Sequence, residues 1–189
     1  MAKFFNTAGP VNAADHYCLP PLERIKSADV EGLIEQRKYF VLHAPRQTGK
    51  TTCLLALRDC LNARGKYHCV YANLEVAQGV REDVAKALSL SIRDIAENAR
   101  DLGDEIAERV RVGMESEGAS TVSLTGFLRR WCKELGRPVV LLLDEIDSLV
   151  GDTLVTVLRH LRAGYASRPA GFPQSVVLCG VRDVRDYRL

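Results

Sequence analysis

Short apolar runs alternate along this chain with longer segments in which apolar residues recur at helical spacing. Tyr39-Phe-Val-Leu-His43 is brief and partly β-branched or aromatic, which reads as a buried strand. Val139 to Leu143 is wholly apolar and suits a central parallel strand covered on both faces. Runs near Tyr67 to Leu74 and Ser175 to Gly180 predict two further strands. Between them lie helical stripes: Leu54, Leu55, Leu57 and Leu61; Val84, Leu88, Ile92 and Ile95; Leu124, Phe127, Leu128, Trp131 and Leu135; Leu154, Val157, Leu158 and Leu161. These stripes are read as core. Ser27 is a candidate N-cap for a helix carrying Val30, Leu33 and Ile34, and Arg64-Gly65 supplies a stop after the helix from Thr51 to Ala63. The heavily charged stretch from Val80 to Gly118 predicts a solvated helical face followed by a flexible bridge from Glu115 to Ser120.

Two of these strands end in chemistry. Behind the first comes Ala44-Pro45-Arg46-Gln47-Thr48-Gly49-Lys50-Thr51-Thr52, a strand, a loop and a helix start that together suit a phosphate cradle. Loop amides and the unpaired amides of a helix N-terminus converge on an anion in such a context. Lys50 is then placed to reach the β- and γ-phosphates of a nucleotide, and the Thr51 hydroxyl to bind Mg²⁺. Ala44 stands where the pattern G-x-x-x-x-G-K-[ST] has its first glycine. Alanine costs little there if φ is negative, which is the expectation; a positive φ would cost about 1 kcal/mol. After the apolar run, Asp144 and Glu145 emerge at the strand's C-terminal end, the end where open α/β sheets hold their ligands. Asp144 can hold Mg²⁺ and Glu145 can polarise an attacking water.

With both signatures in this order, the chain resembles P-loop ATPases of the AAA-like branch, in which the catalytic glutamate directly follows the Walker B aspartate. It is similar in particular to bacterial and archaeal AAA-like ATP-binding proteins, through Phe40 to Thr52 and Leu178-Cys-Gly-Val-Arg-Asp183. The resemblance runs from about Tyr17 to Leu189. It implies an α/β fold, a three-layer α/β/α sandwich whose parallel sheet has strand order 5-1-4-3-2, with the fifth strand missing from this chain. The expectation is therefore an ATPase domain over 27–189, truncated after its fourth core strand, preceded by an arm over 1–26. The rival expectation is that Phe4 to Val11, or a partner chain, covers the edge of strand 1.

The resemblance also suggests roles for individual residues. Tyr17 to Leu22 would border the adenine. Asn73 would restrain Glu145 by a hydrogen bond, against the plainer reading that it is a turn residue at a strand end. The sensor position after strand 4 holds Gly180, Val181 and Arg182, so Arg182 is the group able to reach a γ-phosphate. No arginine finger for the chain's own site is recognisable, and a protein partner or second copy would supply one.

Composition narrows the remaining possibilities. A length of 189 residues with 47% hydrophobic content supports one sizeable core rather than two ordinary domains. The net charge of +2, with acids and bases interleaved, does not demand nucleic acid. The cysteines at 18, 53, 60, 69, 132 and 179 show no C-x-x-C spacing and read as reduced core residues. No apolar run approaches the ~20 residues of a membrane span, so a cytoplasmic protein is expected. The preferred function is an ATP-hydrolysing switch or remodelling module using ATP and Mg²⁺. Its alternatives are a nucleic-acid-dependent ATPase and a binding-only or inert remnant.

Overall fold

A computed structural model describes residues 2–7, 9–80, 83–117 and 123–181. Four parallel strands, β1 (Tyr39–His43), β2 (His68–Asn73), β3 (Val139–Asp144) and β4 (Ser175–Gly180), form a sheet in the order β1-β4-β3-β2. That is the expected order without its fifth strand; among the described residues β1 is an edge. The helices are α1 (Val30–Glu35), α2 (Lys50–Ala63), α3 (Val84–Asp101), α4 (Glu105–Ser116), α5 (Leu124–Leu135) and α6 (Gly151–Ala163).

The sheet separates two cores. One side packs Leu54, Leu57 and Leu61 of α2 and Val30 and Ile34 of α1 against Cys69, Val140, Leu142, Val177 and Cys179. The other packs α3 to α6 against Val70, Leu141, Leu143, Val176 and Leu178. Strand residues alternate between the two faces, and both faces are covered, which explains why β3 and β4 are buried along their whole length. Phe127 and Trp131 stack with ring centroids 5.7 Å apart at the centre of the larger core.

Local chemistry sets the helix ends. Asp29, not Ser27, caps α1: it lies in the left-handed region and its carboxylate accepts the Gly32 N–H. Asp83, Asp104 and Ser123 cap α3, α4 and α5 in the same way. Of the expected bridge from Glu115 to Ser120, Glu115 and Ser116 instead complete α4, and residues 118–120 lie outside the described residues. Arg111 pairs with Glu108 and Glu115 at i−3 and i+4, holding the charged face of α4.

Before α1, Phe4 pairs with His16 and closes the arm into a loop. Pro21 opens a 3-10 turn, Pro21–Arg24, whose Pro21 carbonyl accepts the Cys53 thiol of α2. This fixes the arm beside the P-loop helix. The six cysteines are free thiols, with Cys53, Cys69, Cys132 and Cys179 buried. No described helix is long and apolar enough to cross a membrane.

Candidate functional site

The parallel sheet brings the C-terminal ends of β1, β2 and β3 to one edge, and the chemistry collects there. Residues 44–49 leave β1 and turn into α2. Ala44 has no positive φ; the left-handed positions in the loop are Gln47 (φ 58°) and Gly49 (φ 80°). The methyl group of Ala44 therefore costs no backbone strain, as expected. Gly49 is favoured by its positive φ; a Cβ there would also fall 2.5 Å from the flexible end of Arg24, which would have to shift. The loop closes on itself through Thr48 Oγ1, which donates to Pro45 O at 2.8 Å.

Lys50 bends back over this loop and donates to Ala44 O at 2.8 Å and Pro45 O at 3.1 Å. From β3, Asp144 is 1% exposed and receives three donors. Its Oδ2 accepts from Thr51 Oγ1 at 2.7 Å and from the Tyr71 phenol at 3.1 Å, and its Oδ1 accepts the Glu145 N–H at 3.0 Å. Sequence reasoning missed Tyr71. It sits on β2 beside Leu142 in the sheet register, and only strand pairing reveals that its hydroxyl reaches the end of β3. Burial, then the neighbouring Asp144, pushes its phenol up, so it remains a donor.

Glu145 takes a left-handed conformation, φ 52°, which turns it out of the strand and into a cavity of about 360 Å³. Lys50, Thr51, Thr52, Arg46, Gln47 and Gly49 line the same cavity, as does Glu75 after β2. Burial raises the Glu145 carboxyl above the ordinary range; Asp144 and Asp147 add to this, Lys50 opposes it, and Glu75 adds a smaller push.

Other expected residues fall differently. Asn73 is a turn residue: its side-chain oxygen accepts the Glu75 N–H at 2.9 Å and its own N–H donates to Asp94. No hydrogen bond joins it to Glu145 among the described contacts. Arg182 lies outside the described residues. At the expected sensor position, a Cβ on Gly180 would fall 2.7 Å from Asp147 Oδ1, so a larger side chain there would require Asp147 to shift.

Tyr17 to Leu22 do not line the cavity. The 3-10 turn fixed on Cys53 leaves Tyr17 and Leu19 facing solvent at 58% and 75% exposure, and puts Leu22 in a separate cavity with Leu57 and Arg64. Gly9 and Pro10 of the arm line the P-loop cavity instead, and the Val11 N–H donates to Thr52 Oγ1 at 3.1 Å. Among the described residues the arm does not pair with the edge of β1.

The donor set suits a magnesium nucleotide. A threonine hydroxyl and a buried carboxylate already meet at hydrogen-bond distance, and both are hard oxygen donors of the kind Mg²⁺ takes. A lysine without a carboxylate partner among the described residues stands beside them, at a loop rich in free amides. Thr51 and Asp144 would hold the ion, whose charge would offset that of the phosphates.

A family model described as AAA domain matches residues 34–187. The fold is also similar to a chain in the structure of Drosophila ORC bound to poly(dA/dT) DNA and Cdc6, at 12% identity and a TM-score of 0.52 over 87% of this chain and 26% of that one. This chain thus spans about a quarter of that chain. A chain of Drosophila ORC bound to DNA aligns at 14% identity and a TM-score of 0.46, covering 97% of this chain and 48% of that one. No curated protein matches the sequence.

Proposed function

The chain belongs to the AAA-domain family, the P-loop nucleoside triphosphatases of AAA+ type, and on that premise we propose that it binds Mg·ATP at the α2 N-terminus and hydrolyses it slowly, as a switch. The observation that carries this reading is the 2.7 Å contact between Thr51 and Asp144 in the same cavity edge as Lys50 and Glu145. Thr51 and Asp144 hold the metal. The loop amides from Arg46 to Thr52 and the Lys50 ammonium hold the phosphates, Lys50 exchanging its contacts to Ala44 and Pro45 for phosphate oxygens. Glu145 orients the attacking water, and its ionised form is the one able to accept a hydrogen bond from it. Gly9 and Pro10 border the sugar and base.

Turnover by the isolated chain is slow because among the described residues no cation is placed as an arginine finger, a contribution of about 10³ to 10⁵ in related chemistry. A partner chain or second copy supplies it. Regulation by Asn73 would require its side chain to leave Glu75, and Arg182 remains the proposed γ-phosphate contact near β4.

Calorimetric titration of Mg·ATP into the parent, Lys50→Ala and Glu145→Gln proteins tests the assignment. Saturable binding is expected in the parent and in Glu145→Gln, with Lys50→Ala much weaker. Phosphate release by Glu145→Gln should fall about 10²- to 10⁴-fold. Equal ATP affinity in Lys50→Ala would remove the phosphate-cradle assignment, and unchanged turnover in Glu145→Gln would remove the role of Glu145.

A further inference from the structure

The charges that balance in the sequence separate in space. Glu75, Asp144, Glu145 and Asp147 gather at the C-terminal ends of the strands, around the cavity. The opposite edge of the sheet, where the strands begin, is basic. Thr125 of α5 hydrogen-bonds His160 of α6, and one turn further on Arg129 donates to Ala163 O at 3.2 Å. The two helices therefore run side by side in the same direction, with the last turn of α6 beside the middle of α5 and α5 continuing to Leu135. Arg129 and Lys133 stand on the exposed side of α5, and Arg159 and Arg162 on that of α6.

The surface continues across the sheet edge. Arg168 lies over the Tyr165 ring, 3.4 Å from its centroid, and donates to Arg37 O just before β1. Tyr39 packs edge-on against the same Tyr165. This chain of contacts joins the α5 and α6 cations to exposed Arg37 and Lys38. Among the described residues none of Arg37, Lys38, Arg129, Lys133, Arg159 or Arg162 has a carboxylate partner. Nearby Glu35 and Glu134 are engaged with Lys66 and Arg109.

Unpaired surface cations repel one another unless an anion covers them. We propose that this edge, remote from the nucleotide cavity, is a binding surface for the phosphate backbone of double-stranded nucleic acid. Arginine predominates on it, and the planar guanidinium suits phosphate oxygens better than an ammonium does. An anionic membrane is a poorer fit: Tyr165, at 45% exposure, is the large apolar side chain exposed beside the patch, too little for insertion. No base-reading element enters the argument, so the binding is independent of sequence. It is also independent of the ATPase reading, because no cavity residue takes part.

Fluorescence anisotropy with a labelled duplex of about 30 base pairs, without nucleotide and over a salt series, tests it. The parent is expected to bind with a dissociation constant on the order of 1–100 μM near physiological salt, weakening linearly in log–log form as salt rises. Arg159→Gln with Arg162→Gln should weaken binding about tenfold at low salt and reduce the salt slope by about 2. Lys86→Gln with Arg93→Gln, on α3, should change neither. These residues are exposed, so unchanged thermal melting is expected to show that both variants fold. Absent duplex binding, or equal loss in the two double variants, would overturn the proposal. So would binding of polyglutamate or phosphatidylserine vesicles in preference to duplex, which would assign the surface to an acidic protein or a membrane.

Discussion

At the residue scale the site is organised around Asp144, which holds Thr51, Tyr71 and the Glu145 amide at once. Glu145 is pushed above the ordinary carboxylate range, chiefly by burial and then by the charges of Asp144 and Asp147. If its ionised form orients water, ATP turnover falls as pH drops through this raised value, so the acid limb of the profile lies higher than for an exposed glutamate. Glu75 lines the same cavity and opposes that ionisation. Glu75→Gln is therefore expected to move the limb to lower pH with the plateau rate retained; a profile identical to the parent's would show that Glu145 does not feel Glu75. The residues of this cluster were unequally legible. Lys50, Thr51, Asp144 and Glu145 announced themselves by spacing along the chain, because loop and helix geometry fix what adjacent residues can reach. Tyr71 and Glu75 gave no such signal, since their place beside Asp144 and Glu145 depends on the pairing of β2 with β3 across more than a helix of intervening sequence.

At the scale of elements, the strands and the helical stripes were legible because burial imposes their period. The arm was not. Besides the packing of Leu22 and Ile25 on the α2 side of the core, its position rests on a thiol contact, Cys53 to Pro21 O, and an amide contact, Val11 to Thr52 Oγ1, neither of which leaves a periodic trace. The junction of α4, α5 and β2 was equally hidden. Asp104 caps α4 through the Ile106 N–H, accepts the Trp131 indole N–H at 2.7 Å, and lies 3.1 Å from His68 Nε2. Burial raises this carboxyl, but the His68, Trp131 and backbone contacts together outweigh it and hold the group below its ordinary value. A depressed carboxylate contributes stability above its unfolded pKa, and that contribution is lost as pH falls through the folded value. Asp104→Ala is expected to cost about 3 kcal/mol near neutral pH in urea unfolding, because it strands a buried indole donor and removes a cap. The gap between parent and variant should then narrow below about pH 4. A loss under about 1 kcal/mol would reduce Asp104 to a helix cap alone.

At the scale of the whole molecule, the parallel sheet gives the protein two chemically different ends, a cavity edge and a basic edge, and the cavity itself is assembled from two parts of the chain far apart in sequence. One wall is the loop from β1 into α2; another is Gly9 and Pro10 of the arm. The β1–β4 register and α2 fix the first wall, whereas the second is held to it through Val11 N–H and Thr52 Oγ1. A ligand that touches both walls must stabilise both against opening. At a hundredfold excess over its dissociation constant, Mg·ATP should add about 2.7 kcal/mol to the folded state and raise the melting temperature by about 5–11 °C. Hydrogen exchange then distinguishes the walls. Amides in the first turn of α2 and at Val11 are expected to slow together on addition of Mg·ATP, and neither should slow in Lys50→Ala. Protection of α2 with no change at Val11 would mean that the arm packs on the P-loop helix without forming part of the nucleotide site.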